Sequence, residues 1–336
     1  MNKRGLVLII LVLAIAGSWW VYTRPATTQD QTKLPRIRVG TLRAFSLFDY
    51  IASKKGFFTE EGIDVQLIPY SNGPEGLKEL VAGKVDMAAA ADFAGVRYIF
   101  DHEQIRVVTQ LSSADLISVF ARKDKGIIQP ADLRGKKVGF IRKTAAEYLF
   151  GRFITLHGLT MNDITVVDLP RDDIDFILEQ VEKGEIDAVV PLDPNTTDKF
   201  VEKFGENIVS WSLQDDWKFY PLLFSTAGYL KDNDTLIEKY LRALKRAEDM
   251  IHGNESEAKS ILAAELQFES KLIDNIWSRH NFALGLNQEL LVLLEDEARW
   301  VIENKLTEKT QVPNYLKVLY LEGLQKIKPE SIKIIQ

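Results

Sequence analysis

Ala82-Gly83-Lys84-Val85-Asp86 and Lys183-Gly184-Glu185-Ile186-Asp187 carry one pattern twice: a helix end, a glycine stop, a charged residue, a branched apolar residue and an aspartate opening a strand. Around the first copy, Ile37-Arg38-Val39-Gly40 reads as a strand. A helix then presents Leu47, Phe48, Ile51 and Ala52 on one face and stops at Gly56. Val65-Gln66-Leu67-Ile68 is the next strand, Pro74 opens a helix carrying Leu77, Leu80 and Val81, and Asp86 to Ala90 is a third strand. Around the second copy the order recurs. The strands are Lys137 to Phe140, Thr165 to Asp168 and Asp187 to Val190; the helices carry Leu149, Phe150, Phe153 and Ile154, then Ile174, Ile177, Leu178 and Val181. Thr144-Ala145-Ala146-Glu147 has the form of a capping box for the first of these. Gly40 and Gly139, Val65 and Val166, and Asp86 and Asp187 are separated by 99, 101 and 101 residues.

Short apolar runs alternating with helical patterns predict an α/β fold with parallel sheets. Here that design occurs twice, so the expectation is two lobes. Open parallel sheets bind ligands beyond the carboxyl ends of their strands, and two such edges facing each other form a cleft that closes by hinge motion. Ile105 to Leu111 followed by Leu116 to Ala121 reads as the outward crossing between lobes, and Ile208 to Leu213 followed by Pro221 to Ala227 as the return. The expected organisation is a discontinuous first lobe, 35–113 plus 219–336, and a second lobe, 114–218. The remainder reads as helical (Leu236 to Ile251, Glu257 to Leu266, Lys271 to Asn275, Gln288 to Glu303) and is expected to complete the first lobe.

Composition narrows the function. The 336 residues are 46% hydrophobic and 27% charged, with a formal net charge of −6. That is a globular balance, and it lacks the basic excess of a nucleic-acid binder. There is no cysteine, which excludes disulfides, a thiol nucleophile, cysteine-ligated metals and a lipidated N-terminal cysteine. Lys3 and Arg4 precede an apolar run from Leu6 to Val21, so 1–22 reads as an export signal or membrane anchor and 23–34 as a tether. Ala14-Ile15-Ala16 offers a cleavage site, whereas Trp19-Trp20 suits a retained segment at a membrane interface. Both readings stay open, and both place the protein in the periplasm or on the outer face of the cytoplasmic membrane.

Several ordered segments resemble the ABC-importer substrate-binding proteins for nitrate, taurine, aliphatic sulfonates and thiamine pyrimidine precursors. They are Ile37-Arg38-Val39-Gly40, Lys55 to Val65 (KGFFTEEGIDV), Leu80 to Asp86, Ala121 to Asp124, Asp132 to Gly139 and Gly184 to Val189. The resemblance implies a periplasmic-binding-protein type II fold, a small-molecule ligand, an ABC permease as partner, no cofactor and a monomer. A ligand-sensing module for a signalling partner is an alternative. Some relatives of the fold are biosynthetic enzymes, and the pyrimidine synthase among them uses a cysteine-rich motif absent here. Family members often carry an aromatic–acid–Pro–aromatic element after the Asp187 strand; here it is Leu192-Asp193-Pro194-Asn195, without either ring.

Candidate ligand residues follow from the strand ends. Thr41, Arg43 and Phe45 lie in the loop after the first strand, where Arg43 could grip an acid or remain a surface charge. Ser71 and Asn72 precede Pro74 and suit either hydrogen bonding to a ligand or an ordinary turn. Asp92 and Phe93 follow the third strand, Asp92 being equally an N-cap candidate. Arg142, Thr144 and Ala145 form the corresponding loop of the second lobe, at a helix N-terminus. Asp193 and Tyr220 complete the set. His102, His157, His252 and His280 are dispersed, no glycine-rich phosphate loop or Gly-x-Ser-x-Gly elbow occurs, and Asp172-Asp173 and Asp215-Asp216 read as solvated faces. The expectation is a binding protein without catalytic residues, metal or cofactor.

Overall fold

The computed structural model describes residues 34–192, 196–214 and 218–335. The expected signal or anchor segment, the tether up to residue 33, Asp193 and the Asp215-Asp216 pair lie outside them. Among the described residues no helix is long and apolar enough to cross a membrane.

The chain forms two sheets. Strands β1 (Arg36–Thr41), β2 (Asp64–Pro69) and β3 (Met87–Ala91) run parallel in a seven-stranded sheet completed by β4 (Ile105–Ala114), β10 (Pro221–Thr226), β11 (His280–Asn287) and β12 (Ile332–Lys333), in the order β12-β11-β4-β10-β3-β1-β2. Strands β6 (Lys137–Phe140), β7 (Thr165–Asp168) and β8 (Ala188–Val189) run parallel in a five-stranded sheet completed by β5 (Ser118–Arg122) and β9 (Ile208–Ser212), in the order β7-β6-β8-β5-β9. The chain leaves the first sheet along β4 (Ile105–Ala114), enters the second along β5 (Ser118–Arg122), and returns from β9 (Ile208–Ser212) to β10 (Pro221–Thr226). Each half therefore has three parallel strands and two crossing strands, in matching order, and the crossings fall on the segments read from sequence. At the crossings Ala114 and Phe219 exchange backbone hydrogen bonds of 3.0 and 3.2 Å.

The duplicated aspartates have one structural job. Asp86 accepts the backbone N–H of Arg38 at 2.7 Å and returns its own N–H to the Arg38 carbonyl at 2.8 Å. Asp187 does the same to Lys137, at 2.9 and 2.8 Å. Each carboxylate thus satisfies an amide of the neighbouring parallel strand and sets its register, a charge-assisted bond where an unpaired N–H would be costly. Arg38 adds its guanidinium to Asp86 at 2.6 and 3.1 Å, which the second half lacks.

Two sequence expectations require correction. The C-terminal region is not wholly helical: β11 (His280–Asn287) pairs antiparallel with β4, and β12 (Ile332–Lys333) pairs with β11. Buried Phe282, Leu284 and Leu286 recur at every second position of β11, the period of a strand. Nor is the capping box formed. Thr144 precedes the helix Ala145–Leu156, but its hydroxyl donates back to the Ile141 carbonyl at 2.6 Å, and Glu147 accepts from Lys143 N–H at 2.8 Å. Lys143 sits in the left-handed region at φ 64°, which redirects both side chains.

The helix Ala145–Leu156 of the second half packs against Asp92–Ile99 and Gln288–Glu303 of the first. Phe93 stacks on Tyr148 with centroids 5.3 Å apart, and Trp300 stands edge-on to both at 5.6 Å. The close approach needs Gly151, because a Cβ there would lie 2.4 Å from the Trp300 ring. Arg152 and the Tyr148 hydroxyl both reach Asp296 at 2.9 Å.

Candidate functional site

A cavity of about 270 Å³ lies where the carboxyl ends of the two sets of parallel strands converge. β1 leads into Leu42, Arg43, Ala44 and Phe45, β2 into Tyr70 through Pro74, and β3 into Ala91 and Ala94. From the second half β6 leads to Thr144 and Ala145, β7 to Asp172 and β8 to Leu192; Phe268 is added by the C-terminal helices. This is the position that strand-end binding in open sheets requires.

Arg43, Phe45, Ser71, Asn72, Thr144 and Ala145 of the sequence candidates line it. Arg43 lays its guanidinium 4.4 Å over the Phe268 ring and donates to the Leu266 carbonyl. Phe45 rests on Phe219 at 5.4 Å. Asn72 caps the helix Gly73–Val81 by accepting from Glu75 N–H at 2.9 Å, and the Ser71 hydroxyl donates to Glu75 at 2.7 Å. Both are therefore local caps as well as cavity wall. Thr144 is almost fully buried beneath the helix terminus that Ala145 opens.

The other candidates lie elsewhere. Thr41 is buried within β1 and accepts from the Tyr50 hydroxyl at 3.3 Å. Arg142 is exposed, its N–H donating to Asp168 at 3.1 Å. Phe93 belongs to the aromatic joint. Asp92 neither caps a helix nor reaches the cavity: it is wholly buried and accepts from Phe93 N–H at 2.8 Å and Tyr220 N–H at 2.7 Å. Burial pushes its carboxyl up to about 7, beside the equally buried Glu297, whose proton is held by burial and by the Asp92 charge. Tyr220 is clamped against this pair by its backbone; burial, then the nearby Glu289, pushes its hydroxyl up to about 12.

Tyr70, Asp172 and Phe268 are among the lining residues that the sequence reading did not single out as candidates. Tyr70 directly follows β2, so strand-end reasoning could have found it; its ring packs over Gly40, where a Cβ would lie 2.8 Å from it. Asp172 is not simply a solvated acid: it lines the cavity and accepts Leu192 N–H at 3.0 Å, while Asp173 caps the helix Ile174–Lys183. Phe268 carried no local signal. Among the described residues no group of three or more histidine or acidic side chains could hold a metal ion.

The family model "NMT1/THI5 like" matches residues 46–258, over half of the chain and most of the cavity wall. The chain belongs to the NMT1/THI5-like family. A 4-amino-5-hydroxymethyl-2-methylpyrimidine phosphate synthase of Aspergillus parasiticus is 26% identical over 220 residues, 60% of this chain and 61% of the relative. The chain thus spans about three fifths of that curated relative. A Brucella abortus (strain 2308) protein, named no further than as a binding protein, is 22% identical over 262 residues, 77% of this chain and 79% of the relative. Among solved structures, the alkanesulfonate-binding protein SsuA from Xanthomonas axonopodis pv. citri, bound to MOPS, superposes with a TM-score of 0.71 at 15% identity. The superposition covers 85% of this chain and 98% of that one. It bears out the two-lobed periplasmic-binding-protein fold.

Proposed function

We propose that this family member is the extracytoplasmic solute-binding component of an ABC importer. It captures one small organic ligand between its two halves and hands it, unchanged and as a monomer, to a membrane permease. The observation that carries this is a single cavity built by loops from both halves, walled mostly by apolar side chains and bordered by one guanidinium and one carboxylate. Such a lining suits an apolar body with a polar head, and polar groups few in number fix its orientation. An organic sulfonate or a taurine-like zwitterion fits it better than nitrate, which has no apolar part to bury. No histidine is in the wall, so neither an imidazole base nor a thiol is at hand for covalent chemistry. The alkanesulfonate-binding neighbour supports the ligand class, and the apolar segment before residue 23 supports export.

The second reading is a biosynthetic enzyme, favoured by the Aspergillus relative. The absence of cysteine weighs against a pyrimidine synthase that uses a cysteine-rich motif. A thermal-shift screen of sulfonates, zwitterions and pyrimidines identifies the ligand. Mass spectrometry after long incubation with catalytic amounts of protein then decides between the readings. More than one equivalent of altered ligand overturns the binding-protein reading.

A further inference from the structure

We infer that Phe268 is a positioning residue for Arg43, and that the pair makes the cleft select ligands with an acidic head; the inference rests on the binding-protein reading above. Arg43 is an exposed side chain on the turn after β1. Left alone, such a side chain keeps most of its rotamer freedom, and ordering it on binding costs conformational entropy. Here two contacts order it beforehand. The ring of Phe268 lies 4.4 Å under the guanidinium, and one N–H is committed to the Leu266 carbonyl. That carbonyl ends the helix Glu255–Leu266, where the helix dipole favours a cation.

The backbone explains how the ring arrives there. Gln267 takes the left-handed conformation at φ 55°, usually a glycine's place, and both Gln267 and Phe268 donate their N–H to the Ala263 carbonyl. The helix is thereby closed and Phe268 is turned onto the cavity, where Arg43 also stands. Among the described residues the Leu266 carbonyl is the guanidinium's one hydrogen-bond acceptor. The rest of its fork remains to meet a sulfonate or carboxylate with two parallel bonds. The ring shields one face from water, which strengthens the guanidinium's attraction for an anion. Leu266 to Phe268 lie beyond residue 258, where the family match ends.

Calorimetry with 1-hexanesulfonate and 1-hexanol, matched in their apolar tails, tests the pair on wild type, Phe268→Leu, Arg43→Ala and the double variant. Phe268→Leu is expected to weaken the sulfonate about tenfold, leave hexanol within about twofold, and add nothing further in the Arg43→Ala background. Equal weakening of both probes, no weakening of the sulfonate, or the same loss in the Arg43→Ala background overturns the pairing while the binding-protein reading stands. Wild type that binds neither probe overturns the acid-binding reading itself, and this inference with it. Unchanged melting of the variants guards against misfolding.

Discussion

Lys271 and Asp198 meet at 2.9 Å, Lys271 on the helix Ser270–Ser278 beside the seven-stranded sheet and Asp198 on the helix Thr196–Phe204 beside the five-stranded one. Both side chains are about three-quarters exposed, at 79% and 73%. The joint of Phe93, Tyr148 and Trp300 links the same two halves, with Phe93 and Tyr148 buried. An exposed ion pair is screened by water and salt, whereas separating packed rings exposes apolar surface.

Opening of the cleft is therefore expected to break Lys271–Asp198 while the aromatic joint holds. The chain has no native cysteine, so introduced pairs label cleanly. Spin labels at Glu269 and Glu202 should show a broad distance distribution without ligand and a narrow one with it. Labels at Leu156 and Val292 should give one narrow distribution throughout. Broadening of the second pair to the same extent contradicts this order of opening.

Gly151 and Trp300 should be energetically coupled. Gly151→Ala places a methyl 2.4 Å from the ring, and overpacking of this kind costs about 1–3 kcal/mol. The cost should largely vanish in a Trp300→Ala background, measured as urea midpoints at constant slope. Equal losses in both backgrounds would place the strain elsewhere.

Stability should fall with rising pH through two buried acids. Burial raises the carboxyl of Asp49, despite its bond from the Tyr240 hydroxyl, from 3.8 to about 7, and Asp92 is raised likewise. Each binds its proton more tightly in the folded chain. Their contribution is complete below about pH 4 and is lost as the pH rises through about 7. Asp49→Asn keeps an acceptor for Tyr240 but does not titrate. Its stability curve should be flatter than wild type between these limits, and a parallel curve would contradict the assignment.

The two aspartate clasps should differ in strength. Asp86→Ala removes the Arg38 amide bond and both guanidinium bonds, whereas Asp187→Ala removes only the Lys137 amide bond. The expected losses are about 2–3 kcal/mol and about 1 kcal/mol, read from chemical denaturation. A larger loss at Asp187 would reverse the argument.

Much of the fold was legible because it is local. Gly83 and Gly184 stop helices with φ of 70° and 73°, and Val39, Leu77, Val138 and Ile177 mark buried faces by their spacing alone. β11 was missed although its alternation was visible, because a long helical stretch precedes it and another follows. Part of the candidate cavity was legible for the same local reason, since a loop at a parallel strand's carboxyl end must sit near the ligand edge.

What the sequence by itself determined is the duplicated α/β unit, its glycine stops and its paired aspartates, all set by contacts within or between neighbouring strands. Only the tertiary structure decided that Asp92 is buried against Glu297 and Tyr220 and that Phe268 underlies Arg43. It also brought Phe93, Tyr148 and Trp300 together as three mutually contacting rings. Those partners lie tens to hundreds of residues apart in the chain. Neither periodicity nor capping encodes such distances, and only the packing of separate elements brings those side chains together.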